Sequence, residues 1–201
     1  MLQTDAHPQV DALKLATECR ALIKERYRVT SCVESAFLFE RTAHHLGLTA
    51  TRVVCQATAM TPLFAQAVAE GLDVKPLLSE PGYWAVSVGE LQFPGDFVGR
   101  MEVAKNRFVG HVVCLAAGHL IDPSVDQMSR PGRGLTLDEP LVCEYGEGLI
   151  VVGCHPKGAL VRYVLHPDVP APKPKTDKIL ERLAKGLAQK WSDSFSMSRA
   201  R

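Results

Sequence analysis

The chain has 201 residues and carries 23 Lys and Arg against 22 Asp and Glu, which leaves a formal net charge of +1. This balance gives no electrostatic attraction for nucleic acid or for an anionic membrane, so we expect neither as a partner. Hydrophobic residues make up 46% of the chain, and no apolar run approaches the roughly 18–20 residues that span a bilayer. The first residues lack a secretory-signal pattern and the six cysteines form no CxxC pair, which favours a soluble cytoplasmic protein with reduced thiols.

Two amphipathic helices are predicted at the start of the chain. The first covers residues 10–27, where apolar positions recur at helical spacing. The second begins at Thr30 or Ser31, either of which can cap its first turn, and Glu34 follows Ser31 at the spacing of a capping box. Gly47 supplies the left-handed residue that ends this helix.

The remaining elements are mostly strands. One more helix is predicted at residues 62–70, and strands are predicted at residues 51–59, 83–88, 108–115, 119–121, 141–143, 149–154 and 159–165. Residues 73–82, 91–99 and 126–137 contain helix-breaking Gly or Pro and are predicted to be irregular. Helices followed by an antiparallel sheet indicate an α+β fold.

The chain divides into one domain and an appendage. Residues 1–165 form the α+β domain, residues 166–175 form a proline-rich linker, and residues 176–201 form a helix to about Lys190 with a frayed polar tail. Leu180, Leu183, Leu187 and Trp191 form a narrow apolar stripe on that helix. Such a stripe is suited to docking on the domain or on a second copy of the chain, so a homo-oligomer can form through this helix.

Cys32 lies in the first turn of the second predicted helix. The unpaired N–H groups and the dipole at a helix N-terminus favour a thiolate over a thiol, which is the setting that a nucleophilic cysteine uses. A buried cysteine is also a small hydrophobic residue that needs no chemistry. Catalysis by Cys32 therefore requires a base nearby.

A predicted hairpin at residues 108–121 supplies a candidate base and its partner. If the chain turns at Ala116-Ala117, His111 lies directly opposite Asp122, and if it turns at residues 117–118 the two are diagonal neighbours. In both registers the two side chains project from the same face of the sheet, where a carboxylate can orient an imidazole. Asp126, beyond Pro123, is the second candidate for this orienting role.

Each of these residues also has a structural explanation. Taken singly, His111 is better explained as a strand histidine with a satisfied hydrogen bond, and Asp122 before Pro123 as a turn initiator. Their shared face, together with a cysteine at a helix N-terminus, favours nucleophilic catalysis.

With these residues the chain resembles the transglutaminase-like superfamily of papain-like cysteine peptidases. The cysteine helix of that superfamily reads as Cys, a small residue four positions later, and then Leu-Gly-Leu/Ile-x-Ala-Arg-like residues that enter a strand. The matching residues are Cys32, Ala36, the run Leu46-Gly47-Leu48, Ala50 and Arg52, followed by His111 on one strand and Ile121-Asp122-Pro123 on the next. The resemblance covers residues 29–54 and 108–127.

The resemblance implies a papain-like (transglutaminase-type) core, in which N-terminal helices, including the Cys32 helix, pack on an antiparallel sheet. It implies a Cys32–His111–Asp122 triad that acts on an amide or acyl bond of a peptide, a protein or a small molecule, as a hydrolase or an acyltransferase. No cofactor and no metal ion are expected. The expected oxyanion donor is the Cys32 backbone N–H with a second, unidentified group. The alternative is a catalytically silent domain of the same fold that binds a peptide or protein partner.

Overall fold

The computed structural model describes residues 11–27, 31–89, 108 and 110–199, with side chains through residue 194. Within these residues the protein is an α+β fold of helices packed on an antiparallel sheet. The helices are α1 (Ala12–Arg26), α2 (Cys32–His45), α3 (Pro62–Ala69), α4 (Val74–Leu77) and α5 (Asp177–Arg199). The strands are β1 (Ala50–Met60), β2 (Ala85–Val88), β3 (His111–Ala116), β4 (His119–Asp122), β5 (Leu141–Glu144), β6 (Ile150–Cys154) and β7 (Leu160–His166). Two 3-10 helices, Val125–Met128 and Pro131–Arg133, lie between β4 and β5.

Most predicted elements are confirmed, and three regions differ. Residues 73–82 contain the short helix α4, and residues 126–137 contain most of the two 3-10 helices, so neither segment is wholly irregular. Helix α5 continues to Arg199, although a frayed tail was expected after Lys190. No Gly or Pro interrupts it after Gly186, which removes the usual reason for a helix to stop. The predicted loop at residues 91–99 lies outside the described residues.

The sheet is organised around the long strand β1. The strand order is β5-β4-β3-β1-β7-β6, and every pairing is antiparallel. On one edge of β1, residues 50–55 pair with β3 and residues 57–60 pair with β2. Residues 54–60 pair with β7 on the other edge. The strand that follows α2 is therefore the direct neighbour of the strand that begins with His111.

The β3–β4 hairpin adopts the second of the two predicted registers. Ala116 pairs with His119, so the turn consists of Ala117 and Gly118. Both turn residues have positive φ, 49° for Ala117 and 76° for Gly118, as a type I′ turn requires. His111 and Asp122 are therefore diagonal neighbours on one face.

Two apolar clusters cover the two faces of the sheet. In the first, helices α1, α2 and α5 pack against Val112 and Cys114 of β3, and the predicted stripe of α5 contributes Leu180, Leu187 and Trp191. In the second, residues 125–137 cover the opposite face, to which alternate residues of β3 point. Among the described residues, no helix has both the length and the apolar character that a bilayer crossing requires.

Candidate active site

His111 and Asp122 form a buried pair at one end of the β3–β4 hairpin. The Nε2 atom of His111 lies 2.8 Å from the Oδ2 atom of Asp122. The two residues are 2% and 0% exposed, so water does not screen the contact. Of the two carboxylates that the sequence offered as partners of His111, this one is in contact with its ring.

Three further hydrogen bonds hold the Asp122 carboxylate. The Tyr163 hydroxyl donates to Oδ2 at 3.0 Å, and the Ser124 backbone N–H and hydroxyl donate to Oδ1 at 2.9 and 3.3 Å. Burial raises the pKa of Asp122, but the charge and hydrogen bond of His111, with the bonds from Ser124 and Tyr163, lower it below its ordinary value. The carboxylate is therefore charged and fixed in orientation.

The pKa of His111 is raised by its neighbours. Burial alone would lower it, but the charge and hydrogen bond of Asp122 and a side-chain hydrogen bond with Cys32 raise the pKa from 6.5 to about 10. The imidazole is therefore protonated at neutral pH. Since Nε2 faces Asp122, Nδ1 is the ring nitrogen left for Cys32.

Cys32 is the first residue of α2 and is 7% exposed. Its helix ends as predicted, because Gly47 adopts a φ of 79° and the Leu48 N–H donates to the Ala43 carbonyl at 2.9 Å. Packing of the helix on β3 is fixed near Cys32, where the Cys114 thiol donates to the Ala36 carbonyl at 3.3 Å. The start of α2 is thus held next to the start of β3.

The N-terminus of α2 is capped in a way that the sequence did not predict. Ser31 occupies the N-cap position, but its side chain makes no capping hydrogen bond, so the expected capping role of its hydroxyl is wrong. Instead, the Gln127 amide lies against this end of the helix. With its orientation assigned so that the oxygen faces the helix, it accepts from the backbone N–H groups of Ser31 at 2.9 Å and Cys32 at 3.0 Å. The Cys32 N–H, expected to be free as an oxyanion donor, is therefore already bonded.

The Ser31 hydroxyl is held instead by Arg20, a residue that sequence reasoning passed over. Arg20 is 8% exposed and donates to the hydroxyls of Ser31 at 2.6 Å and Ser35 at 3.1 Å. Its guanidinium also makes two hydrogen bonds to the Asp126 carboxylate, at 2.9 and 3.2 Å, and Lys24 lies 2.6 Å from the same carboxylate. Asp126 therefore joins α1 to the first 3-10 helix. Arg20 lies between Ala16 and Ile23 on the buried face of α1. A charged residue on an otherwise apolar helix face is the sequence feature that could have identified Arg20 as part of a buried polar network.

The two adjacent histidines near the end of α2 could in principle bind a metal ion, but each has a partner within the fold. His44 Nε2 lies 2.8 Å from the Ala50 carbonyl oxygen, and His45 Nε2 lies 2.8 Å from the Glu181 carboxylate. Across the part of the chain that the structure describes, no group of three or more His, Cys, Asp or Glu residues is arranged to hold a metal ion.

The site can support nucleophilic chemistry at a thiol. Cys32 lies close enough to the His111 ring to raise its pKa, and the Asp122 carboxylate orients the ring. This is the order that a nucleophile, an acid–base group and an orienting group require. Comparison of the chain with protein-family models, with curated proteins and with solved structures finds no significant match.

Proposed function

We propose that this protein is a cysteine enzyme with a papain-like, transglutaminase-type core, and that it acts on an amide or other acyl bond. The observation that carries the proposal is the buried pair of His111 and Asp122 in contact with a cysteine at a helix N-terminus. The substrates that suit this chemistry are a peptide, a protein or a small amide or acyl compound.

The acylation step uses the three residues in order. The protonated His111 ring stabilises a thiolate on Cys32, and the thiolate attacks the carbonyl carbon of the substrate. As the tetrahedral intermediate collapses, the His111 ring gives its proton to the leaving group, and the acyl group stays on Cys32 as a thioester. Asp122 keeps the ring in the orientation that this transfer needs.

Release of the acyl group reverses the proton movement. The neutral ring of His111 takes a proton from water or from an amine as either attacks the thioester. The thiolate of Cys32 then leaves, and the pair with the protonated ring is restored. Attack by water makes the protein a hydrolase, and attack by an amine makes it an acyltransferase.

Two observations favour a second candidate function, a catalytically silent domain of the same fold that binds a peptide or protein partner. The Cys32 backbone N–H is occupied by the Gln127 side chain, and Cys32 itself is only 7% exposed. A site that never frees this donor would lose an oxyanion contact that is worth about 3 kcal/mol in barrier height.

The pH dependence of alkylation separates the two functions. The full chain is treated with iodoacetamide from about pH 6 to about pH 8, and each modified cysteine is quantified by peptide mass spectrometry. An ordinary thiol, with a pKa of about 8.5, reacts roughly tenfold faster for each unit of pH over this range. We expect a nearly constant rate for Cys32, and the exposed Cys154 serves as the comparison.

The quantity compared is how steeply the alkylation rate of each cysteine changes with pH. Burial of Cys32 lowers its rate at every pH and so leaves this steepness unchanged. Cys32→Ser identifies the modified peptide, and His111→Ala should restore an ordinary pH dependence at Cys32. If the rate at Cys32 rises with pH as steeply as the rate at Cys154, the catalytic proposal fails and the silent binding domain replaces it.

A further inference from the structure

The Gln127 side chain fills the N-terminus of α2 beside the candidate nucleophile. Its oxygen faces the N–H groups of Ser31 and Cys32, and only this orientation of the amide satisfies both donors, since the opposite one would set its NH2 group against them. Gln127 lies in the first 3-10 helix, only five positions after Asp122. The same short segment therefore reaches both the His111 ring and the start of the cysteine helix.

The position of the Gln127 oxygen coincides with the needs of the proposed reaction. When the Cys32 sulfur bonds to a carbonyl carbon, the carbonyl oxygen must lie close to the Cys32 backbone N–H, because sulfur and N–H belong to the same residue. That N–H is now bonded to the oxygen of an amide side chain. We propose that Gln127 is an autoinhibitory gate, which occupies the oxyanion site and must move before a substrate carbonyl can bind.

Only the side chain of Gln127 needs to move. Its neighbours Val125 and Met128 are fully buried, and Asp126 is held by Arg20, so the backbone of the 3-10 helix is fixed. The side chain of Gln127 is itself partly exposed, which leaves it room to rotate towards solvent. Rotation of such a side chain takes picoseconds to nanoseconds, which is much faster than acylation. The gate therefore lowers the reaction rate by reducing the fraction of molecules with an open site.

The two N–H groups that Gln127 covers also determine which chemical groups can displace it. A group that displaces the Gln127 oxygen must offer an oxygen acceptor to the N–H groups of Ser31 and Cys32, as the carbonyl of an amide or an ester does. This inference rests on the proposed function, because it assigns the gate to the oxyanion site of the Cys32 reaction.

The experiment compares two electrophiles on the full chain. With p-nitrophenyl acetate, the Cys32 thiolate attacks the carbonyl carbon, 4-nitrophenolate leaves with the bonding electrons, and an acetyl thioester forms on Cys32. Water then converts the thioester to acetate and returns the thiol and a proton. Iodoacetamide alkylates the same sulfur by displacement of iodide, with no oxyanion at the N–H of Cys32.

Two substitutions at Gln127 should change acetylation in opposite directions. Gln127→Ala frees both N–H groups, and the loss of two competing hydrogen bonds should speed acetylation about tenfold or more. Gln127→Glu places a stronger, charged acceptor on the same donors, which preserves the helix cap and should slow acetylation. Alkylation by iodoacetamide should be nearly unchanged in Gln127→Ala. In Gln127→Glu the added charge disfavours the Cys32 thiolate, so the acetylation rate of each variant is compared after division by its own alkylation rate. Gln66→Ala, at an exposed glutamine on α3 whose side chain donates to Glu70, is the matched control.

The outcomes separate the gate from the proposed function. If the wild-type protein is acetylated at Cys32 and Gln127→Ala is equal or slower, the gate is refuted while the enzyme proposal stands. If neither protein is acetylated at Cys32, both proposals are refuted, because opening the gate should have exposed the reactive site. If Gln127→Ala proves too unstable to assay, Gln127→Glu decides, and an acetylation rate at or above that of the wild type overturns the gate.

Discussion

The buried pair of His111 and Asp122 should make the stability of the fold fall as pH rises through the alkaline range. The pKa of His111 in the folded protein is raised from its ordinary value of 6.5 to about 10, against the effect of burial, by Asp122 and Cys32. A basic group whose pKa is raised by folding stabilises the native state fully below its unfolded pKa, and this stabilisation is lost as pH rises through the folded pKa. The window for His111 therefore runs from about pH 6.5 to about pH 10.

The size of the effect follows from the two pKa values. A change from 6.5 to about 10 corresponds to about 5 kcal/mol of stabilisation, at about 1.4 kcal/mol for each unit of pKa. About 4 kcal/mol of it should disappear between pH 6.5 and pH 10, and the rest in equal parts just below and just above this range. Typical domains unfold with about 5–15 kcal/mol, so a pH-dependent change of this size is large enough to measure. The pKa of Asp122 is lowered by the same interaction, so this stabilisation is also lost in acid, as pH falls through the folded pKa of Asp122. Because both shifts describe one interaction, the shift of Asp122 adds no further stabilisation energy.

Urea denaturation, followed by tryptophan fluorescence at several pH values, measures this contribution. The reference is the double variant His111→Gln/Asp122→Asn, which keeps two hydrogen-bonding side chains without charge. Lysines and other groups remote from the pair titrate alike in both proteins, so their effects cancel in the difference. Besides burial, Asp122 raises the pKa values of Tyr163, Cys55 and Cys143, and above about pH 8.5 these groups add a loss of the same sign in the wild type. The advantage of the wild type should shrink by about 4 kcal/mol between pH 6.5 and pH 10. Parallel stability curves, or an NMR signature of a neutral His111 ring at about pH 8, would refute the reasoning.

Three further outcomes are expected. His111→Ala should slow alkylation of Cys32 at about pH 6 more than Asp122→Ala does, because the ring contacts the sulfur and the carboxylate only orients the ring; equal effects in site-resolved mass spectrometry would contradict this order. Tyr163→Phe removes one of the hydrogen bonds to a buried carboxylate and should lower the unfolding free energy in urea by about 1–3 kcal/mol; an unchanged midpoint would show that this bond contributes nothing. Truncation after Lys175 removes a helix whose apolar face lies in the core, and should lower the melting temperature or alter the elution volume in size-exclusion chromatography; no change in either would mean that the helix is not needed for the fold.

The β3–β4 hairpin shows which features of this site can be predicted from the alternation of apolar residues. Alternation of apolar residues predicted β3 and β4, and both possible registers placed His111 and Asp122 on one face. The choice between the registers depended on Ala117, which adopts a positive φ although it is not glycine. Such a conformation is uncommon for alanine, so local preference could not select it, and the pairing of β4 with β5 stabilises the observed register.

The partners across the site were less predictable. Arg20, Tyr163 and Gln127 each come from a different element, and periodicity reports which face of an element is buried but not which polar group lies opposite. Asp126 was considered as a partner of His111 because it is close in sequence, yet a single turn of 3-10 helix after Pro123 directs it to Arg20. Only the three-dimensional arrangement distinguishes the two carboxylates.

The short segment from β4 through the first 3-10 helix connects all parts of the candidate site. Asp122 accepts from His111, Asp126 accepts from Arg20, and Gln127 accepts from the N–H of Cys32. Each of these acceptors binds a different element, so the relative positions of β3, α1 and α2 are set by one stretch of backbone. The orientation of the ring and the position of Gln127 therefore depend on the same few peptide units. In the proposed reaction, a substrate that moved the Gln127 side chain alone would leave the carboxylate bonds of Asp122 and Asp126 intact, so the proposed gate would open without loss of the geometry of the charged pair.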